Sequence, residues 1–422
     1  MHIWNLCQDS KRSIHFPVKN IGISLLLSGV ILVLSHCQNK PVPIQQKFQT
    51  SATSYSERIQ FNLSYSVKAD SIFSHFLTPI KEITLDCSDP KSQFGSYDKI
   101  LYDPQNKIVC ILDDYYHPGV YVFDVHGKFM GKLGREGHGP AEYISPSDFC
   151  FSSDKRIALI DRTQSKILIY RYDGQFLKYL PLRIPKNGRK YSIYPDALSY
   201  EQQTFFVFTR YNPTGDFLIH KFDSTGKYLG SFHRMTNRFQ YGPEIASLNQ
   251  IIGVTKRQIY FAKLFQPDIF LYDFGENLER VYTIQHTTAT HSRLIKQLDR
   301  TIAKAPNKKG FDFHTTRNEL LHKLEHIEFL DLSDKYIFVK NPQKYMLFTR
   351  DGSCLYQLDL KDYNADGGHR FPPDDPKVHF LLSGLYPRGR WENGIIFCGF
   401  PPLEARSLTP KIVVYEYQSG KK

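Results

Sequence analysis

The 422-residue chain is long enough for one large or two ordinary domains, and 41% hydrophobic with 23% charged residues is the mix of a globular protein with a sizeable core. A net charge of +12 would suit nucleic acid or an anionic surface, but the basic residues are scattered singly, with Lys304, Lys308 and Lys309 the nearest to a cluster. A diffuse solvated surface is expected, with no nucleic-acid partner. The seven cysteines include no CxxC pair, which argues against zinc ribbons and dithiol redox chemistry, and no cofactor or metal is expected.

The chain opens with an address. Ile21 to Leu34 is uncharged and follows Lys11, Arg12 and Lys19, the plan of a signal peptide over residues 1–36. The run is short for a membrane span and ends in Leu34-Ser35-His36-Cys37, which resembles a bacterial lipobox although His36 stands where Gly or Ala is usual. Lipidation at Cys37 is the expectation, with an uncleaved membrane anchor as the alternative. Both export the remainder, and the lack of an acidic run after Cys37 points to the periplasmic side of the outer membrane rather than the cell surface. Residues 37–78, polar and with Pro41 and Pro43, read as a tether.

From residue 79 to 422 the chain repeats itself. Copies start at Ile108 (IVCILDDYYHPGVYVFDVHGKFMGKLG), Arg156, Thr204, Gln258, Lys335 and Gly394, at spacings of 48, 48, 54, 77 and 59 residues. Each has apolar strands separated by polar turns, and an apolar stretch such as YDKILYD from Tyr97 or SDFCFSS from Ser147 supplies an innermost strand. Short strands at such a period mark a β-propeller. The predicted fold is all-β, a six-bladed β-propeller.

Gly127, Gly174, Gly226 and Gly352 fall at the turn between third and fourth strands, where a tight hairpin needs positive φ, and Asn277 stands in for glycine in the fourth copy. The sixth copy lacks its outer strand, which Lys81 to Cys87 (KEITLDC) can supply. Residues 291–329 return apolar side chains at helical spacing (Leu294, Leu298, Ile302; Leu320, Leu324, Ile327), predicting a helical insertion between the fourth and fifth blades.

The segment GREGHGPAEY, Gly134 to Tyr143, followed by RIALIDRTQSKILIYRYDGQFL, resembles the six-bladed β-propeller lipoproteins of Bacteroides-type bacteria, with NHL-repeat-like blades. The resemblance rests on Gly137, Gly139, Pro140, Glu142, Tyr143, Asp161 and Gly174 and is echoed at Tyr241 to Glu244. It implies fold and export rather than an activity. The motif itself reads as structural, carrying the chain from one blade to the next.

A propeller gathers its fourth-to-first and second-to-third connections around one channel mouth. That groups Tyr115, Tyr116, His117, Arg135, Glu136, His138, Arg162, Arg210, Tyr211 and Tyr241 as candidate ligand-binding residues. Each has a bland alternative: His138 as a loop residue, Asp161 as a turn cap, the arginines as solvated surface. Asp366, Asp374 and Asp375 lack the spacing of a calcium loop. No GxSxG, HExxH or P-loop is present, so no catalytic residue is assigned. The expectation is a monomeric binding or scaffold module for a glycan, peptide or protein, with a propeller-type lyase or hydrolase as the alternative.

Overall fold

The computed structural model describes residues 57–61, 76–152, 155–209, 217–234, 251–263, 266–284, 300, 327–341, 344–359, 386–391, 393–399 and 410–418. Two strands, β1 (Glu57–Phe61) and β2 (Leu77–Thr84), precede the repeats. The first repeat is a meander of β3 (Lys99–Asp103), β4 (Ile108–Asp113), β5 (Gly119–Asp124) and β6 (Phe129–Leu133). The short β7 (Arg135–Glu136) and β8 (Glu142–Tyr143) follow in the crossing loop. The second repeat holds β9 (Pro146–Ser152), β10 (Arg156–Asp161), β11 (Lys166–Arg171) and β12 (Phe176–Pro181), and then comes a hairpin of β13 (Arg183–Lys186) and β14 (Arg189–Ser192).

The third repeat is β15 (Ala197–Glu201), β16 (Thr204–Phe208), β17 (Phe217–Asp223) and β18 (Tyr228–Arg234). The fourth is β19 (Ile252–Val254), β20 (Gln258–Lys263), β21 (Gln266–Asp273) and β22 (Leu278–Ile284). The fifth is β23 (Phe329–Leu332), β24 (Tyr336–Lys340), β25 (Lys344–Thr349) and β26 (Cys354–Asp359). The last strands are β27 (Tyr386–Trp391), β28 (Gly394–Gly399) and β29 (Lys411–Tyr417).

The sheet order corrects the predicted blade count and the insertion. Repeats two to five make four discrete blades in a propeller-like, all-β arrangement, one of them extended to five strands by β1. The first and last repeats do not make two further separate blades; they form one continuous eight-stranded sheet in the order β2-β29-β28-β27-β3-β4-β5-β6. The join is a parallel contact of Gly389 and Arg390 with Ile100 and Leu101. A Cβ on Gly389 would lie 1.9 Å from the Ile100 carbonyl oxygen, so glycine is what lets the two strands meet. A helical insertion is not supported. Residues 291–326 lie outside the described residues except Arg300, and Ile327 leads into β23.

The two ends of the chain meet in that sheet, because β2 pairs antiparallel with β29, starting at Leu77 rather than at Lys81. Within the stretch read as a tether, β1 lies parallel against β22. Phe61 is fully buried there, stacked on Tyr282 and Phe348. The signal segment and Cys37 lie outside the described residues, among which no helix is long and apolar enough to cross a membrane.

Strand alternation gives each inner sheet two apolar faces, and neighbouring sheets bury them against one another. One cluster joins β3–β6 to β9–β11 through Leu112, Val122, Phe149 and Leu159, and another joins β9–β12 to β15–β17 through Ile167, Leu198 and Phe222. The turn glycines Gly127, Gly174, Gly226 and Gly352 have φ of 84°, 85°, 87° and 89°, the left-handed region in which a Cβ is strained. In the fourth repeat the residue in that conformation is Glu276 (φ 69°), not Asn277. Asn277 follows it and binds back to the Asp273 carboxylate with its amide and side chain, so its role is to brace the turn.

Candidate functional site

The inner strands begin with an acid at a repeating position. Asp98, Asp148 and Asp196 stand opposite Leu112, Ile160 and Phe208, which are 48 residues apart, at the entries of β3, β9 and β15. The acids meet different neighbours. Lys99 donates to buried Asp148 at 2.8 Å, and the second oxygen of Asp148 accepts the Leu198 amide at 2.7 Å, so one ion pair clasps three inner strands. On the other side Arg390 reaches Asp331 at 3.9 Å and donates to the Ile252 carbonyl at 2.7 Å, clasping β27, β23 and β19 in the same manner. Arg162 holds Asp196 at 2.8 Å.

Asp98 is different because it faces a second carboxyl. It accepts the Ser96 hydroxyl and, at 2.9 Å, the Asp114 amide. Asp114 is exposed as a residue, yet its carboxyl group is turned against Asp98 and partly desolvated. It is pushed up to about 7, by that burial first, then by the Asp98 charge and their shared hydrogen bond, with Arg162 opposing. Burial and the neighbouring charge thus favour the protonated form of Asp114.

The turn beyond β4 is fixed from beneath by Asp113. Its buried carboxylate accepts the Gly95 amide at 2.7 Å, the Ser96 hydroxyl at 2.8 Å, and the amides of Tyr115, Tyr116 and His117 at 2.9–3.0 Å. Burial pushes this group up, but the donors outweigh it and leave it below the usual carboxylate range. The turn so braced presents Tyr115 and Tyr116 at 75% and 63% exposure, edge to face with centroids 4.9 Å apart. The two aromatics are thus held in water on a turn that backbone hydrogen bonds fix in advance.

Asp161 repeats the device one unit on, accepting the amides of Ile144, Ser145, Thr163 and Gln164. Here it supports the crossing loop instead of aromatics. Gln164 donates to the Gly137 and Glu142 carbonyls, Lys166 to the Gly139 carbonyl and Tyr170 to the Ala141 carbonyl. Arg135 donates to Glu142 at 2.7 Å, and the other Glu142 oxygen takes the Gly139 amide. The crossing loop is thus tied shut by its own motif, and Tyr143, fully buried, donates to the Pro118 carbonyl and links it to the tyrosine turn.

Of the residues singled out from the sequence, Tyr115, Tyr116 and His117 lie on one turn, and Arg162 lies within electrostatic reach of Asp114. Arg135, Glu136 and His138 belong to the crossing loop, with Arg135 engaged by Glu142. Arg210, Tyr211, Tyr241, Asp366, Asp374 and Asp375 lie outside the described residues. Among the described residues neither the His117 nor the His138 imidazole has a carboxylate or second imidazole in hydrogen-bond reach. Sequence reasoning missed Asp98, Asp113, Asp114 and Asp196. The recurrence of acids at Asp98, Asp148 and Asp196, and at Asp113 and Asp161, was the available signal.

The fold and this turn define an all-β, propeller-like protein with a preformed polar and aromatic surface at the strand ends. The chain belongs to the DUF4934 family, a domain of unknown function whose pattern matches residues 57–318. No curated protein matches. The chain is similar in structure to a Bacteroides fragilis protein whose description assigns it to export, with a TM-score of 0.58 and 17% identity over 86% of this chain and 100% of that one. It is also similar to a DUF4221-family member from Bacteroides vulgatus, with a TM-score of 0.51 and 10% identity over 82% and 99%. At these identities the likeness concerns the fold alone.

Proposed function

We propose that the protein is an exported, lipid-anchored binding module whose ligand is a glycan docking on the turn Asp113 to His117. The observation that carries this reading is the exposed Tyr115–Tyr116 pair, held by the Asp113 hydrogen bonds beside the Asp98–Asp114 carboxyls. Aromatic faces stack on sugar rings, and carboxyl groups exchange hydrogen bonds with hydroxyls. Arg135 and Arg162 already hold Glu142 and Asp196, which favours a neutral hydroxylated ligand over an acidic one. Export is supported by the apolar run before Cys37 and by the description of the Bacteroides fragilis protein. The anchor is assigned to Cys37, on the periplasmic side of the outer membrane, with the protein a monomer.

The test is a thermal-shift screen of the full chain against glycans and peptides, in which a ligand at 100 times its Kd stabilises by about 2.7 kcal/mol. A glycan shift lost in Tyr115→Ala/Tyr116→Ala is expected; a flat glycan screen, or a shift that the double variant retains, removes the reading. The raised Asp114 carboxyl also favours a second reading, a lyase or hydrolase with this residue as general acid or base. That reading requires turnover that disappears in Asp114→Asn.

A further inference from the structure

At the opposite end of β10 from Asp161 lies a groove unrelated to the tyrosine turn. It runs between the strands of the first and second repeats, about 570 Å³ in volume, within the range of about 300–1,000 Å³ typical of small-molecule sites. Lys155, Arg156 and Arg171 line it, against one acid among the described residues, Asp173. Asp173 stands 3.5 Å from Arg171 and turns its other oxygen to the Gln175 amide. Among the described residues no carboxylate pairs with Lys155 or Arg156. Asp103, just behind the wall, is taken up by the Tyr172 hydroxyl at 2.8 Å and by Asn106.

The remaining wall, Asn106 and Tyr172 aside, is apolar. Met130 and Leu177 line the groove at 50% and 39% exposure, large hydrophobic side chains that water does not favour. Arg156 also borders a second groove of about 260 Å³ on the other face of its sheet, with Lys178. The cations thus gather around Arg156, and the apolar side chains lie to one side of it.

We propose that this groove binds an amphiphilic anion, with its carboxylate or phosphate on Arg156 and Arg171 and its acyl chain over Met130 and Leu177. Arg is the fitting residue because its planar fork takes two oxygens of either headgroup. The apolar wall is what separates such a ligand from a simple anion.

The experiment is isothermal titration of the full chain with octyl phosphate, octanoate and inorganic phosphate, each below micelle-forming concentration. Saturable binding of one or both alkyl anions is expected, at least about tenfold tighter than inorganic phosphate, and the tighter of the two identifies the headgroup. Arg156→Glu should weaken it by at least about tenfold, and Leu177→Ser should weaken the alkyl anions while leaving inorganic phosphate unchanged. Arg171→Glu, at the exposed end of β11, serves as the second charge reversal if Arg156→Glu does not fold. No saturable binding of either alkyl anion, equal binding of inorganic phosphate, or binding unaltered by both charge reversals overturns the proposal.

Discussion

Repeats one and two carry the same parts at the same positions and use them differently. Asp98 and Asp148 both open an inner strand, Asp113 and Asp161 both end the next strand, and Gly127 and Gly174 both turn the last hairpin. In repeat two the acid is buried on Lys99 and the turn residue ties down a crossing loop. In repeat one the acid meets another carboxyl at the surface, and the turn residue holds two exposed tyrosines. Where a buried charge finds its opposite, the parts make scaffold; where like meets like in partial exposure, they make an exposed polar and aromatic surface.

The comparison is broken most severely by removing its buried cation. Lys99→Ala would leave Asp148 desolvated with backbone amides as partners, and burial already pushes this carboxyl up, with Lys99 the chief restraint. Breaking a buried pair from one side costs about 3–5 kcal/mol, and chemical denaturation would read it. A loss below about 1 kcal/mol would show the pair to be no more than a surface contact. Asp98→Ala should cost less than Lys99→Ala, because water can reach its site.

The two turn glycines sharpen the comparison at smaller scale. A Cβ on Gly127 would lie 1.8 Å from the Thr84 carbonyl oxygen, whereas nothing lies within 4 Å of one on Gly174. Gly174→Ala should therefore cost only the left-handed backbone, about 1–2 kcal/mol, and Gly127→Ala should add about 1–3 kcal/mol of displaced backbone. Equal losses in urea denaturation would mean that β2 yields freely, and with it the seam joining the two ends of the chain.

Much of this frame was legible in the sequence because repetition is local. The strand period, the inner strands before each copy and the turn glycines depend on residues within one unit. The eight-stranded sheet was not legible, since it depends on Gly389 meeting the Ile100 carbonyl across most of the chain. The docking of β1 on β22 was hidden for the same reason, Phe61 finding Tyr282 and Phe348 only in the folded state. At the site, the tyrosines stood out by type, but the pairing of Asp98 with Asp114 joins two elements whose proximity only the fold supplies.

That pairing yields the most specific effect. With Asp114 raised to about 7 from an ordinary 3.8, the folded state favours its neutral form. The stability this contributes is complete below pH 3.8 and is lost as pH rises through about 7, the reverse of a carboxylate held by a cation. Asp98→Asn removes the neighbouring charge but not the burial, which is the larger cause, so the Asp114 value should fall while staying above the ordinary one. Carbon-detected NMR titration of the aspartate carboxyls would show both. If Asp114 titrates unchanged in Asp98→Asn, desolvation alone sets its proton affinity, and the contrast with repeat two reduces to depth of burial rather than choice of partner.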